Sequence, residues 1–202
     1  MGNPQGIGHN LKMIGEFVYN EKTREHVAGG KPVPSVTEVL SKFFPPSPFY
    51  TESGKEKGAN LHLCCQFLAE NDLDWDSVHP EILPQVRAYQ RFLAETLFRP
   101  TILEQAFHDN SLWVCGKPDQ IGVLGGRLSV IDIKRGSKLQ THKLQTAAYK
   151  MILTHNDIPV LDRYALYLSD DKYRLEKHLE QADENSFRTL LAALHTIKNY
   201  GG

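Results

Sequence analysis

Long apolar runs are missing from this 202-residue chain: no stretch approaches the roughly 18 consecutive apolar residues that span a bilayer, which excludes a helical membrane protein. Cysteine is scarce. Cys64, Cys65 and Cys115 are odd in number and two of them are adjacent, a poor disulfide framework that points to free thiols in a reducing compartment. An excess of one charge is lacking too. The 23 Lys+Arg against 24 Asp+Glu leave a net charge of −1, so no global field draws the chain onto nucleic acid or anionic lipid, and a polyanion must be met by a local patch. Gly29-Gly30-Lys31-Pro32 lacks the spacing and hydroxyl of a phosphate-binding loop, which excludes a nucleotide-driven motor. With neither His-Glu-x-x-His nor Cys-x-x-Cys, a zinc enzyme is disfavoured. The start, Met1-Gly2-Asn3-Pro4-Gln5-Gly6, carries neither a basic-then-apolar leader nor a myristoylation signal, so the expected location is the cytoplasm.

What is present is an ordinary globular composition, 41% hydrophobic and 23% charged, at a length that suits about one domain of roughly 150 residues with an appendage. Residues 1–32 read as an N-terminal arm with a strand or hairpin, its apolar contacts limited to Leu11-Lys12-Met13-Ile14 and Phe17-Val18-Tyr19; residues 33–202 read as a single domain. Ser35-x-x-Glu38 is a capping box opening a short amphipathic helix, which Pro45, Pro46 and Pro48 stop. Helical spacing recurs from about Gly58 to Leu68 and over residues 81–98. Short β-rich runs follow at residues 102–107, 112–115 and 128–133; then come a helix over 139–154, a strand over 164–168 and a closing helix over 184–200. That order predicts a mixed α/β layer fold, a small mixed central sheet flanked by helices.

The chemistry concentrates around Gly116-Lys117-Pro118-Asp119 and Asp132-Ile133-Lys134. If Gly125-Gly126 is a two-residue hairpin turn, which suits glycine because both positions take positive φ, the register sets Asp119 opposite Asp132 and Lys117 opposite Lys134. Two carboxylates about 5 Å apart repel by roughly 3 kcal/mol at an effective dielectric near 20, so a cation belongs between them. The flanking Val130, Ile131 and Ile133 make the strand apolar on both faces, and a charge there is rare without a partner. Mg²⁺ takes oxygen ligands of this kind, and a lysine two residues along the strand can orient, or exchange protons with, a water bound to it. The plainer alternative is a Pro-Asp turn and an ordinary strand on an exposed face.

With these residues in place the chain resembles the PD-(D/E)XK nuclease superfamily, and within it the RecB-like branch that includes Cas4-like and mitochondrial genome maintenance exonucleases. The resemblance runs over about residues 33–170. It is carried by Pro34-Ser35-Val36-Thr37-x-Val39-Leu40, Gly58-x-x-x-His62, Glu104, Gly116-x-Pro118-Asp119, Ile131-Asp132-Ile133-Lys134 and Gln145-x-x-x-Tyr149. It implies a restriction-endonuclease-like core in which His62, Asp119 and Asp132 ligate Mg²⁺ or Mn²⁺, with the Ile133 carbonyl as a further ligand. It also implies that Lys134 serves the attacking water and that Glu104 holds a second ion or a water. Gln145 and Tyr149, one helical turn apart, would lie beside the active site. Lys117, Arg135, Lys138, His142 and Lys143 form the local basic cluster, able to guide a phosphate backbone without reading sequence.

The function expected is therefore a metal-dependent deoxyribonuclease, an exonuclease of DNA ends or single strands in recombination or repair, encoded by a bacterium or phage. A catalytically inactive DNA- or protein-binding module of the same fold, and an endonuclease, are the alternatives. The near-neutral charge leaves two accounts open: a partner such as a helicase or recombination protein supplies basic surface, or the chain engages only a short strand.

Overall fold

Backbone amides need partners, and the strands that position the site find theirs in one five-stranded mixed sheet covered by helices on both faces. The computed structural model describes residues 17–20, 25–46 and 51–201, so residues 11–14 and Pro48, to which the sequence assigned an apolar contact and a helix stop, lie outside the described residues. The chain divides into two units, Met1–Val33 and Pro34–Gly202.

The first unit holds a three-stranded antiparallel sheet, β1 (Phe17–Asn20), β2 (Glu25–Ala28) and β3 (Lys31–Val33). Gly29 and Gly30, with φ of 52° and 77°, form the two-residue turn between β2 and β3, which is the structural use of the Gly-Gly-Lys sequence. The rings of Phe17 and His26 stack with centroids 5.7 Å apart.

The second unit opens with α1 (Val36–Phe43), whose N-cap Ser35 accepts from the Glu38 N–H at 3.0 Å, as the capping-box pattern requires. The next helix, α2 (Glu52–Ala69), starts a turn and a half before the apolar spacing does. Its first residues are polar on every side, so periodicity is silent there, and the Thr51 hydroxyl caps Gly54 instead. A single 3₁₀ turn (Trp75–Ser77) precedes α3 (Leu83–Thr96).

The strands that follow are β4 (Arg99–Leu103), β5 (Phe107–Asp109), β6 (Val114–Gly116), β7 (Gln120–Leu124) and β8 (Arg127–Arg135). After them come α4 (Thr141–His155), β9 (Asp162–Ser169), β10 (Lys172–His178) and α5 (Ala182–Tyr200). The run expected to be one strand over 102–107 is split between β4 and β5, which pair in different sheets, because Glu104 takes a left-handed φ of 48° and turns the chain.

The central sheet has the order β10-β9-β8-β7-β4, with β8 and β9 parallel around the α4 crossover and the other pairs antiparallel. Gly125 and Gly126 have φ of 55° and 76°, and the β7–β8 ladder runs from Leu124↔Arg127 to Gln120↔Ile131, the register that the turn dictates. β10 was not expected. Its apolar Tyr173 and Leu175 alternate with charges, and it returns along β9 through a tight Asp170-Asp171 turn with Asp171 at φ 52°. Against one face of the sheet, α1, α4 and α5 bury Ile121, Val130, Tyr149, Ile152 and Phe187. Against the other, α2 and α3 bury Leu61, Tyr89, Phe92, Ile131 and Ile133.

Two devices hold the sheet in place. Arg163 on β9 is buried with Asp183 of α5 at 2.6 Å and donates to the Lys143 and Glu180 carbonyls, so the guanidinium ties β9 to α4 and α5. On the β4 side the ladder skips Thr101 between Pro100 and Ile102, and the Thr101 hydroxyl donates to the Ile121 carbonyl at 3.1 Å. That approach needs Gly122, because a Cβ there would stand 2.2 Å from the Arg99 carbonyl oxygen and 2.7 Å from Pro100 Cα. Gly122→Ala is therefore expected to lower stability by about 2 kcal/mol or more in urea unfolding. Gly58→Ala in α2, where an added Cβ meets nothing within 4 Å, should raise it by about 0.5–1 kcal/mol. Equal midpoints for the two variants would contradict this account.

Candidate active site

The site forms where the β7–β8 ladder stops. Pro118 has no N–H to give, and β7 starts only at Gln120, so the ladder ends one residue short of Asp119. The Ile133 N–H on β8, beyond the last rung, is taken by the Asp119 carboxylate: Oδ2 accepts it at 2.5 Å. Asp119 thus replaces a missing backbone partner, which fixes its side chain. Its other oxygen, Oδ1, lies 3.1 Å from Nδ1 of His62, carried by α2.

Glu104, just past the end of β4, gives its N–H to the Asp119 carbonyl at 3.0 Å. The left-handed backbone at Glu104, a strain of about 1–2 kcal/mol for a residue with a Cβ, points its carboxylate into the same cluster. Glu104 Oε1 is 3.8 Å from His62 Nδ1, and Oε2 is 2.6 Å from Lys117 Nζ. Lys117 was expected to face Lys134 across a ladder; because the ladder has ended, it turns to Glu104 instead.

Asp132 projects from the middle of β8 and is 1% exposed. Lys134, two residues on and on the same face, lies 2.6 Å from Asp132 Oδ2 and donates to Gln145 Oε1 of α4 at 2.9 Å. Gln145 Nε2 in turn donates to the Tyr149 hydroxyl at 2.9 Å, so the pair one helical turn apart forms a single brace behind the lysine. Tyr149 packs against Gly116, where a Cβ would come within 2.9 Å of two ring carbons. The glycine of Gly116-x-Pro118-Asp119 is thus the space that the Tyr149 ring fills.

Three carboxylates and three cations are therefore matched: Lys117 with Glu104, His62 with Asp119, and Lys134 with Asp132. Asp119 holds the His62 imidazole protonated, up to about 10, against the opposing effect of burial. Burial pushes Asp119 up, but His62, Lys134 and the Ile133 N–H outweigh it and bring the carboxyl below its usual range. Burial also pushes Asp132 up; Lys134 opposes this and Asp119 adds to it, leaving the carboxyl above its usual range. Two neighbouring acids are thus driven apart in proton affinity.

His62, Glu104 and Asp119 each offer one ligand atom, all within 4.8 Å of one another. One imidazole nitrogen and two carboxylate oxygens suit a hard divalent ion, and Asp132 stands beside them on β8, so the donor set fits the ion expected from the sequence. Ile133 itself is buried in the α2/α3 core, with its N–H engaged by Asp119.

The remaining basic residues are more dispersed. Arg135 ends β8 and is exposed, whereas Lys138 reaches Glu176 of β10 at 2.5 Å. Lys143 reaches Glu180 and Asp183 at 3.3 and 3.6 Å. His142 is buried, its Nδ1 lying 3.0 Å from the Tyr167 hydroxyl, and burial together with Lys134 pushes it down to about 4. It is a neutral packing group with a polar contact. Tyr167 of β9, the register neighbour of Lys134, was missed in the sequence; its signal was a polar tip inside the apolar run 165–168.

No protein-family model matches the chain, and no curated protein matches it in sequence. Solved structures do. A protein of Eubacterium rectale, provisionally assigned as an exonuclease, aligns over 83% of this chain and 81% of its own at 9% identity with a TM-score of 0.54. An alkaline exonuclease from Laribacter hongkongensis aligns over 82% of this chain and 87% of its own at 16% identity with a TM-score of 0.46. The same exonuclease in complex with dAMP aligns over 83% and 88% at 15% identity and 0.40. The chain shares its fold, a mixed central sheet flanked by helices, with the Eubacterium rectale structure.

A melting series in Mg²⁺ or Mn²⁺ checks the donor set. At an ion concentration about 100 times its dissociation constant, linkage stabilises the fold by about 2.7 kcal/mol, or a rise in Tm of roughly 5–10 °C for a domain of this size. Asp119→Asn should abolish that rise while remaining folded, and an equal rise in the variant would remove Asp119 from the ligands.

Proposed function

We propose that this chain is a metal-dependent deoxyribonuclease, an exonuclease that hydrolyses phosphodiester bonds at DNA ends or in single strands and uses Mg²⁺ or Mn²⁺. The observation that carries the reading is the clamped lysine: Lys134 Nζ lies 2.6 Å from Asp132 and 2.9 Å from Gln145, next to the His62, Glu104 and Asp119 donor set. The fold shared with the assigned exonuclease of Eubacterium rectale supports it.

In this reading His62, Glu104, Asp119 and Asp132 hold the ion, which when bound supplies a Lewis acid that lowers the pKa of water and offsets charge on the phosphoryl oxygens. The chain's own groups do the positioning. Asp132 and Gln145 fix the Lys134 ammonium from two sides, and Tyr149 fixes Gln145, so the lysine is pre-organised to orient the attacking water and to donate to the oxygen that gains charge.

The test is degradation of end-labelled linear single- and double-stranded DNA in Mg²⁺ or Mn²⁺, with covalently closed circles in parallel. Linear DNA should be lost and circles spared. Lys134→Gln, which can keep a hydrogen bond to Asp132 and so avoids leaving a buried carboxylate bare, should reduce turnover by at least about 10²-fold with the fold intact by circular dichroism. Cleaved circles would make the protein an endonuclease; binding without cleavage would make it an inactive module.

A further inference from the structure

The side of the site away from α2 carries a row of residues that the sequence did not bring together. In the β8–β9 register Lys134 lies beside Tyr167, and in the β9–β10 register Tyr167 lies beside Arg174. Directly paired residues project to the same face of a sheet, so the three form one line running outward from the lysine. Two strand spacings of about 4.8 Å put the Arg174 backbone about 10 Å from that of Lys134, a separation on the order of one or two nucleotides of an extended strand.

The line is built, not accidental. Tyr167 is buried, with His142 against its hydroxyl and the Arg174 guanidinium over its ring, 4.6 Å from the centroid. α4 packs mainly on β8 and β9 and reaches β10 through Thr146 and His178 at the far end of the strand, and the Arg174 side chain is 60% exposed. The nearest carboxylate is Glu176 at 4.0 Å, and that group is already engaged by Lys138 at 2.5 Å. Held over an aromatic face, the guanidinium keeps N–H groups for an outside acceptor, with less of the freedom an exposed arginine normally loses on binding. Of the other rim cations, Lys117, Lys138 and Lys143 have carboxylate partners within 3.6 Å, while Arg135 is exposed at the end of β8 with no aromatic face beneath it among the described residues.

We infer that Arg174 grips a backbone phosphate of the substrate strand next to the scissile position, so that the strand passes from Lys134 across β9 to the β10 edge. This deepens the nuclease reading and rests on it. The partner is a nucleic-acid backbone, recognised by charge and planarity and not by sequence.

The experiment compares wild type, Arg174→Ala, Arg174→Lys and, as a control on the remote exposed face of α5, Arg188→Ala. Each is followed by turnover of a fluorescein-labelled single-stranded oligonucleotide over a KCl series, and by anisotropy of the same oligonucleotide on the Lys134→Gln background. Arg174→Ala should raise KM about fivefold with kcat unchanged, and should flatten the log–log salt dependence of binding by about 0.7, one phosphate contact on a single strand. Arg174→Lys should restore the salt slope and only part of KM, because it keeps the charge without the planar fork of donors. Arg188→Ala should match wild type. Cleavage with KM and salt slope unchanged in Arg174→Ala overturns the phosphate contact and leaves the nuclease reading standing. Binding that is lost in Arg174→Ala without any wild-type cleavage supports the contact and sinks the nuclease reading; neither binding nor cleavage sinks both.

Discussion

A carboxylate in the middle of a central β-strand has to be answered by a cation, and the rest of this site follows from how Asp132 is answered. Val130, Ile131 and Ile133 bury β8 on both faces, so water cannot reach Asp132, and no strand neighbour can move away from it. Leaving it uncompensated would cost several kcal/mol, a large share of a domain's whole stability. Lys134 is the answer available within the strand, and period-two alternation puts it on the right face. But an ammonium next to one carboxylate has freedom to rotate. Gln145 removes that freedom, Tyr149 fixes Gln145, and Gly116 leaves the space that Tyr149 occupies. Stability and the pre-organisation that the proposed catalysis needs thus ask for the same geometry, and a change at Gly116 acts on Lys134 without touching it.

Asp119 follows from a second constraint. A sheet that ends leaves N–H groups without partners, and at Ile133 the missing rung is supplied by a side chain. The carboxylate that completes the ladder is the one that meets His62, so the edge of the secondary structure and the donor set coincide. Glu104 repeats the pattern at the end of β4, where a left-handed residue turns the chain out of the sheet and gives its N–H to Asp119. Each acid of the cluster sits where regular structure stops or is compensated, and such positions tolerate few other side chains.

The parts of the fold legible in the sequence were those with local causes. The Gly125-Gly126 turn set the β7–β8 register, the Ser35–Glu38 box set the start of α1, and the spacing of Gln145 and Tyr149 put them on one face of α4. What escaped had causes outside the segment. The first turns of α2 have no apolar face, so only the Thr51 cap marks them. β10 alternates weakly because it lies at an edge and gains its stability from β9 and α3, neither of which is near it in the pattern. The break at Glu104 is backbone strain, which residue types do not announce. His142 counted as a basic group in the sequence, yet burial makes it neutral, since protonation depends on an environment that only the fold creates.

The same distinction bears on the charge balance. A net charge of −1 counts against a protein that holds DNA by its global field. Pairing sharpens the point: Lys117, Lys138 and Lys143 meet acids of the chain itself, and the three cations of the cluster meet its three carboxylates, so the centre is close to neutral before any ion enters. On the proposed reading, a divalent ion held by His62, Glu104 and Asp119 would take the place of the His62 proton and would add positive charge to a centre otherwise close to neutral. The attraction for a polyanion would thereby be confined to the proposed reacting centre and its immediate rim. On that reading the protein would engage a short length of strand and rely on position, not on a broad basic surface, to hold it.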